Sequence, residues 1–390
     1  MKLQVFLNLL GKRQFVGILQ ETDDKRILFE YASEFIKSGL DISPFMLPRK
    51  NTIYEDVKRT FDGLYGVFND SLPDGWGCLL LDRALQKKGL SLRQITPLQR
   101  LSMIGANPMG ALEYEPFESL EEDVSDVELD SLSFEANKIL EGESSEILDE
   151  LLSLNGSSGG ARPKIVANVS GDKKSIIHGN LQKVGFEPWI IKFSSSLDNK
   201  DIGAQEYIYS LIAKQAGIEM SETYLFPSKK GSGHFGIKRF DRQGNNKIHT
   251  HTACGLLHAS HRFASLDYLA LLKLTRALTK DLREVEKMVR LMIFNVLSGN
   301  KDDHSKNFSF MLNENNIWKM TPAYDLTPSE GINGEQTAMV NKKGKGITIE
   351  DFIEDASIVD IGADKVKEIY EQTKDALAQY GKYAKKIGIK

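Results

Sequence analysis

The first fifty residues alternate apolar and polar positions in short bursts: Leu3-Gln4-Val5-Phe6-Leu7, Phe15-Val16-Gly17-Ile18-Leu19 and Arg26-Ile27-Leu28-Phe29-Glu30-Tyr31. A period of two belongs to half-buried strands, so a small antiparallel sheet is predicted. Phe61 to Phe68 reads as one more strand. Leu72-Pro73-Asp74-Gly75-Trp76 reads as a turn opening a helix through Leu85, with Trp76 and the glycines serving packing and turns. A short helix from Leu98 to Ile104 ends at Gly105-Ala106-Asn107-Pro108-Met109-Gly110-Ala111-Leu112. Apolar positions thin out from Glu113 to Asp130, a connector, and helical spacing resumes through Ile139, Ile147, Leu148, Leu151 and Leu152.

Strand patterns return at Ile165–Val169, Trp189–Phe193, Tyr224–Phe226 and His234–Phe240. Between them a helix from Ala204 to Ala216 carries Ile208, Leu211, Ile212 and Ala216 on one face. The remainder is mostly helical, at Ser265–Thr279, Asp281–Leu297 and about Asp364–Tyr383, with an apolar run at Phe308–Leu312. The fold class expected is α+β: a small β-rich N-terminal domain over 1–115, an acidic connector and helix over 116–150, a strand region over 151–240 and a helical region over 241–390. Strands with a glycine loop first and helices afterwards form a two-lobed pattern.

Composition changes this picture little. The chain has 390 residues, 41% hydrophobic and 27% charged, which supports a real core. No apolar run approaches the roughly 18 residues of a membrane span, and no signal peptide is read at the N-terminus. Cys78 and Cys254 are the two cysteines, too few for a disulfide framework or a four-cysteine zinc site, so a cytoplasmic location is expected. The net charge of -4 is unevenly placed. Glu113 to Glu150 holds fifteen acidic residues and one basic, leaving 49 basic against 39 acidic elsewhere, mostly solvated surface.

One stretch concentrates charge. The apolar segment Leu291–Leu297 leads into Gly299-Asn300-Lys301-Asp302-Asp303-His304-Ser305-Lys306-Asn307, and an apolar run follows directly. Charge that dense between buried segments is costly to desolvate unless it binds ions or reacting groups. Asp302 and Asn307 stand five apart, the spacing at which a kinase catalytic loop carries its base and its metal-binding asparagine. Asp325 follows the next short strand, where a second metal-binding carboxylate is needed. Phosphoryl transfer with ATP and Mg2+ is the chemistry expected.

Two further features point the same way. Asn155-Gly156-Ser157-Ser158-Gly159-Gly160-Ala161-Arg162-Pro163-Lys164 is a loop whose backbone N–H groups can converge on an anion, although its spacing is not that of a Walker loop. Lys192 is embedded in an apolar strand, and Glu206, in the first turn of the next helix, is its economical partner. A strand lysine held by a helix glutamate is also the kinase arrangement for α- and β-phosphates.

With these motifs in hand the chain resembles the HipA family of serine/threonine kinase toxins from type II toxin–antitoxin pairs. The likeness rests on Leu72-Pro73-Asp74-Gly75-Trp76-Gly77, Gly105–Ala111, Ser157–Lys164, Ile237-Lys238-Arg239-Phe240-Asp241-Arg242, Asp302–Phe308 and Pro322-Ala323-Tyr324-Asp325, in that order. The resemblance implies a divergent two-lobed kinase whose N-lobe-like region is 151–240 and whose helical C-lobe is 241–390. It makes Asp302 the catalytic aspartate and gives magnesium to Asn307 and Asp325. ATP falls to Lys192 with Glu206, to the loop Ser157, Ser158, Gly159 and Gly160, and to the hinge backbone at Lys238 and Phe240. Ser157, with Ser158 as second candidate, aligns with the serine that such toxins autophosphorylate. Lys306 is placed to touch the γ-phosphate, His304 is counted with Lys306 and Asp325 among the ATP-binding residues while structuring the loop, and Asp303 braces it. The implied partners are a HipB-like helix-turn-helix antitoxin, operator DNA mainly through that antitoxin, and a protein target such as an aminoacyl-tRNA synthetase.

The pattern departs from eukaryotic kinases at Asp325-Leu326-Thr327, which is not Asp-Phe-Gly, in its loop glycine spacing and in lacking Ala-Pro-Glu. A competing reading is a non-catalytic ATP-binding member of an antitoxin–DNA repressor complex. A metal-dependent hydrolase built on Asp302, Asp303 and His304 lacks further histidines at usable spacing.

Overall fold

A computed structural model describes residues 1–389 except 88, 92–94, 106–107, 118–124, 146, 156–159, 161, 179–182 and 261–265. The chain divides into two compact units. The first holds 1–203, 222–250 and 313–316; the second holds 204–221, 251–312 and 317–390.

The first unit contains two large antiparallel sheets and a two-stranded one, Arg242–Gln243 with Asn246–Lys247. In the N-terminal sheet, β1 (Lys2–Leu9), β2 (Lys12–Glu21), β3 (Ile27–Tyr31), β4 (Ile53–Glu55) and β5 (Leu112–Glu115) lie in the order β4-β3-β2-β1-β5. Leu3, Val5, Leu7 and Leu9 on alternate positions of β1 are buried, as the period of two requires. The second sheet is built from β6 (Ser125–Asp126), β7 (Lys164–Ser170), β8 (Ile176–His178), β9 (Phe186–Lys192), β10 (Thr223–Phe226) and β11 (His234–Lys238). Their order is β10-β11-β9-β7-β8-β6. Its core joins Ile165, Ala167, Val169, Trp189 and Ile191 to Leu80, Leu81 and Leu85 of the helix Gly75–Lys87 and to Leu151 and Leu154 of Leu148–Asn155.

The second unit packs the helices Tyr268–Thr279, Leu282–Ser298, Ile349–Ser357 and Ala363–Leu377 around one core that includes Leu271, Val289, Phe294, Phe308 and Phe352. The hairpin strands Ser309–Leu312 and Trp318–Met320 pair antiparallel. Among the described residues no helix is long and apolar enough to cross a membrane.

Four sequence expectations give way. The stretch Glu113–Asp130 is not only a connector, because it carries the end of β5 and all of β6, whose few residues are held by pairing with β1 and β8. Phe61–Phe68 is not a strand; it is turns followed by the helix Gly66–Asn69. Phe61, Leu64, Val67 and Phe68 are all buried, and their spacing of three and four is helical rather than alternating. The strand from His234 stops at Lys238, before Phe240. The C-terminal helix is two, Ala363–Leu377 and Tyr380–Ile387. The start of the helix expected from Ser265 lies outside the described residues, and its described part is Tyr268–Thr279.

Candidate active site

The loop from Asn300 to Asn307 is launched by the helix Leu282–Ser298, which ends in a glycine cap. Gly299 takes φ +77°, its N–H donates to Val296 O, and the N–H of Asn300 donates to Asn295 O at 2.9 Å. This pair of bonds satisfies the last carbonyls and turns the chain sharply. The first loop side chain faces inward. Asn300, 2% exposed, donates through Nδ2 to Asn295 Oδ1 and to the carbonyl of Asp325, each at 3.0 Å.

Asp302 and Asp303 then part. Asp303 is fully buried and accepts hydrogen bonds from Ala338 N and Gln336 Nε2, both at 3.0 Å, and from the Tyr268 hydroxyl. Burial raises its pKa against those three donors. Tyr268 accepts from Asn295 Nδ2 at 2.9 Å, and Gln336 Nε2 also donates to Asn300 O at 2.9 Å. Asn295, Asn300, Gln336, Asp303 and Tyr268 therefore close into a ring of buried polar groups, each held by another.

Asp302 faces the other way, its side chain 68% exposed. Its backbone is nevertheless fixed: Lys301 N and Asp302 N both donate to Ser329 Oγ, at 3.0 and 2.8 Å, and the Asp302 carbonyl accepts from Asn307 Nδ2 at 2.7 Å. His304 Nε2 stands 4.0 Å from Asp302 Oδ1. Ser305–Asn307 form a 3-10 turn, with Asn307 N donating to His304 O, and Lys306 offers its carbonyl to the Tyr324 hydroxyl at 2.7 Å. Asp325 has a left-handed backbone, φ +52°, held through its carbonyl by Asn300. Such a conformation in a non-glycine residue persists where the surroundings impose it, and clusters at functional sites.

The structure thus brings Asp302, His304, Lys306, Asn307 and Asp325 onto one hydrogen-bonded scaffold within the second unit. Glu206 belongs to the same unit, 6% exposed, on the helix Ile202–Gln215. Lys192, Lys238, Phe240 and Gly160 belong to the first. Lys192 ends β9, paired with Phe235 on one side and Lys164 on the other, its ammonium 5.7 Å from the centre of the Phe235 ring. The side chain of Lys238 pairs with Glu187, and its N–H donates to Glu222 O at 2.9 Å. Phe240 is half-buried. Gly160 takes φ +95°, and a Cβ there would meet Lys164 Nζ at 2.5 Å. Ser157, Ser158 and Gly159 lie outside the described residues.

Beside Lys238 the chain buries a second group of charges. Asp241, fully buried, accepts from Arg239 Nε at 2.9 Å, from Arg239 Nη2 and Arg242 Nη1 at 2.7 Å, and from Gly110 N at 2.8 Å. Arg242 also donates to the carbonyls of Pro108 and Gly110. Burial alone would raise the Asp241 pKa, but the two guanidinium charges and these bonds hold it far below the carboxylate range. Two of the six sequence motifs, Gly105–Ala111 and Ile237–Arg242, therefore meet in an ion cluster.

Sequence reasoning missed the support: Tyr268, Asn295, Gln336, Ser329 and Lys164. Lys164, 4% exposed with its ammonium beside Gly160, carried the one available signal, a lysine closing a glycine loop. Among the described residues no group of three or more His, Cys, Asp or Glu side chains could hold a metal ion.

Residues 5–115 match the HipA N-terminal domain, and residues 156–380 match the HipA-like C-terminal domain. The Sinorhizobium fredii protein named "Putative kinase Y4dM" is 27% identical over 167 residues, 39% of this chain and 40% of that relative, so the match spans well under half of its length. The Shewanella oneidensis MR-1 toxin HipA, solved with HipB and operator DNA, superposes with a TM-score of 0.71 at 19% identity, over 98% of this chain and 91% of that one. The fold is the α+β, two-lobed, kinase-like one that the sequence predicts. With the C-terminal domain alone covering more than half of the chain, the protein belongs to the HipA family.

Proposed function

We propose that this chain is an ATP-dependent protein serine/threonine kinase, the toxin of a HipA/HipB-like pair. The observation that carries the reading is the split between Asp302 and Asp303: one carboxylate is held inside a ring of donors, and its neighbour is presented at 68% exposure on the backbone thereby fixed. An exposed and positioned carboxylate is what a catalytic base requires. Asp302 orients the substrate hydroxyl and takes its proton as the oxygen bonds to the γ-phosphorus. The bond from that phosphorus to the β–γ bridging oxygen breaks, and ADP leaves.

The donor set fits a hard cation: Asn307 and Asp325 offer oxygen ligands, and Asn300 ties the Asp325 backbone to the loop. Bound there with ATP, Mg2+ neutralises charge on the phosphate oxygens. In the 151–240 region, Lys192, supported by Glu206, offsets the α- and β-phosphates, and the backbone at Lys238 and Phe240 meets adenine. Lys306 reaches the γ-phosphate from the 241–390 region, beside His304. The loop Ser157, Ser158, Gly159 and Gly160 cradles phosphate, and phosphorylation of Ser157 or Ser158 switches the enzyme off. The Shewanella oneidensis relative was solved with HipB and operator DNA. By analogy the partner here is a HipB-like antitoxin acting in the cytoplasm, and the target is a translation-related protein such as an aminoacyl-tRNA synthetase.

Incubation of the full chain with radiolabelled ATP and Mg2+ tests the reading. Phosphate is expected on Ser157 or Ser158 by peptide mapping, and Asp302→Asn is expected to lower incorporation by about 100-fold or more. Equal labelling of wild type and Asp302→Asn overturns the assignment.

A further inference from the structure

Trp76 lies within the stretch matched by the HipA N-terminal domain, yet its indole is 1% exposed in the core of the second sheet, the core that includes Leu151, Ile165 and Trp189. It makes two hydrogen bonds to one short segment. Its backbone N–H donates to Gly160 O at 3.2 Å, and its indole Nε1–H donates to Lys164 O at 3.1 Å. One residue thus grips carbonyls four positions apart, just ahead of β7. Phenylalanine would keep an aromatic ring there but leave part of the space empty and lose the second bond, since only an indole couples that apolar bulk to a donor.

The next residue secures the approach. A Cβ on Gly77 would run into Asn155 Nδ2 and Pro73 Cβ, so glycine lets the helix Gly75–Lys87 close on Asn155. Asn155 is fully buried at the end of the helix Leu148–Asn155, where the chain enters the glycine loop. Upstream, Cys78 N donates to Asp74 O at 2.9 Å, completing the first turn on which Trp76 rides. Two adjacent residues therefore face the entry of the loop at Asn155, its far side at Gly160 and its exit at Lys164. Gly160, with φ +95°, leaves the Lys164 ammonium beside it, so the same grip fixes a cation as well as backbone.

We propose that Trp76 is a positioning residue for the phosphate loop: the N-terminal domain contributes the indole that holds Gly160 and Lys164 in register for binding ATP. The kinase region is then incomplete without a side chain from outside it. A loop binds phosphate through converging N–H groups only while its backbone is held in one conformation, so loosening the grip weakens nucleotide binding and leaves Asp302 untouched. This inference rests on reading the loop as phosphate-binding.

The test uses the full chain with Trp76 replaced by 3-benzothienylalanine, which keeps the shape and removes the N–H, and with Trp76→Phe as the genetic counterpart. Three quantities are measured: the affinity for Mg2+ with a non-hydrolysable ATP analogue, KM against kcat for ATP, and tryptic cleavage after Lys164 without nucleotide. Loss of one buried hydrogen bond is expected to raise Kd and KM by about 3- to 10-fold with kcat held, and to speed cleavage. Equal affinity and equal cleavage in a wild-type chain that binds the analogue and its benzothienyl counterpart overturn the role of Trp76. A wild-type chain that binds no analogue overturns the phosphate-loop reading instead, and the cleavage comparison then decides for or against the grip by itself.

Discussion

Two short segments of this chain look alike in sequence: Lys238-Arg239-Phe240-Asp241-Arg242 and Lys301-Asp302-Asp303-His304-Ser305-Lys306-Asn307 both pack charge beside apolar strands. In the first, opposite charges close on one another. Asp241 is enclosed by Arg239 and Arg242, and their spare N–H groups end on the carbonyls of Pro108 and Gly110. In the second, no arginine is present. Asp303 is satisfied by neutral donors, and Asp302 is left at the surface on a backbone those donors fix. Charge density between buried segments therefore does not by itself mark a reactive site. What separates the two is whether the charges neutralise each other inside the fold or one is presented at the surface.

The largest effect expected from this contrast is structural. Asp241→Asn strands two guanidinium groups in the interior, and breaking a buried ion cluster by removing one partner costs about 3–5 kcal/mol. Urea unfolding of the two proteins measures it. The acid dependence fixes the cause. The Asp241 pKa is depressed in the folded state from an ordinary 3.8, so its stabilisation is fully present above about pH 4 and is lost as pH falls towards the folded value. The gap between wild type and Asp241→Asn should shrink below pH 4. A difference under about 1 kcal/mol at pH 7, or one independent of pH, breaks the comparison, because Asp241 would then not be the neutralising charge.

The same contrast explains which parts of the molecule could be read from the sequence. The catalytic-type loop was legible because its signals are local: a capping glycine, two aspartates and an asparagine within nine positions, bounded by apolar runs. The longer strands β1, β2, β3, β7, β9 and β11, together with β10, were legible from their apolar patterns, the short β4, β5, β6 and β8 were missed because two to four residues carry too little pattern, and Phe61–Phe68 was mistyped because a helical spacing was taken for a continuous strand. The supports were hidden because they are distant in sequence. Asp241 meets Gly110 across 131 positions, Asp303 meets Gln336 across 33, and Trp76 meets Lys164 across 88. A spacing rule reaches across one turn or one loop; none of these contacts lies within that reach. Trp76 was read as packing, and it packs, but the direction of its N–H follows only from the folded chain.

A second, smaller effect sharpens the contrast inside the loop. Asp303→Asn keeps size and removes charge, turning one oxygen into an N–H donor where Ala338 N, Gln336 Nε2 and Tyr268 already donate. A donor facing donors costs about 1–3 kcal/mol. Because that ring fixes the backbone behind Asp302, kcat for phosphotransfer is expected to fall about 10-fold while affinity for the ATP analogue stays within about 2-fold. Parallel loss of kcat and nucleotide affinity would show instead that the ring holds the whole unit rather than the loop.

The smallest expected effect isolates a single atom. Ser329 Oγ accepts from Lys301 N and Asp302 N at once, and its residue bridges Asn300 in a short parallel pairing. Ser329→Ala leaves that backbone pairing intact and removes only the acceptor. Both N–H groups lie near solvent, where water replaces the lost partner, so stability should change by about 0.5–1.5 kcal/mol at most. Position is another matter, since water holds the amides less rigidly than a hydroxyl anchored to the chain. A 2- to 5-fold fall in kcat, about 0.4–1 kcal/mol of barrier, is therefore expected with KM for ATP unchanged, and Ser329→Thr, which restores the hydroxyl, should recover it. If Ser329→Ala matches wild type in kcat, the Asp302 backbone is held by the buried ring and the Asn307 bond, and the Ser329 hydroxyl contributes nothing to its placement.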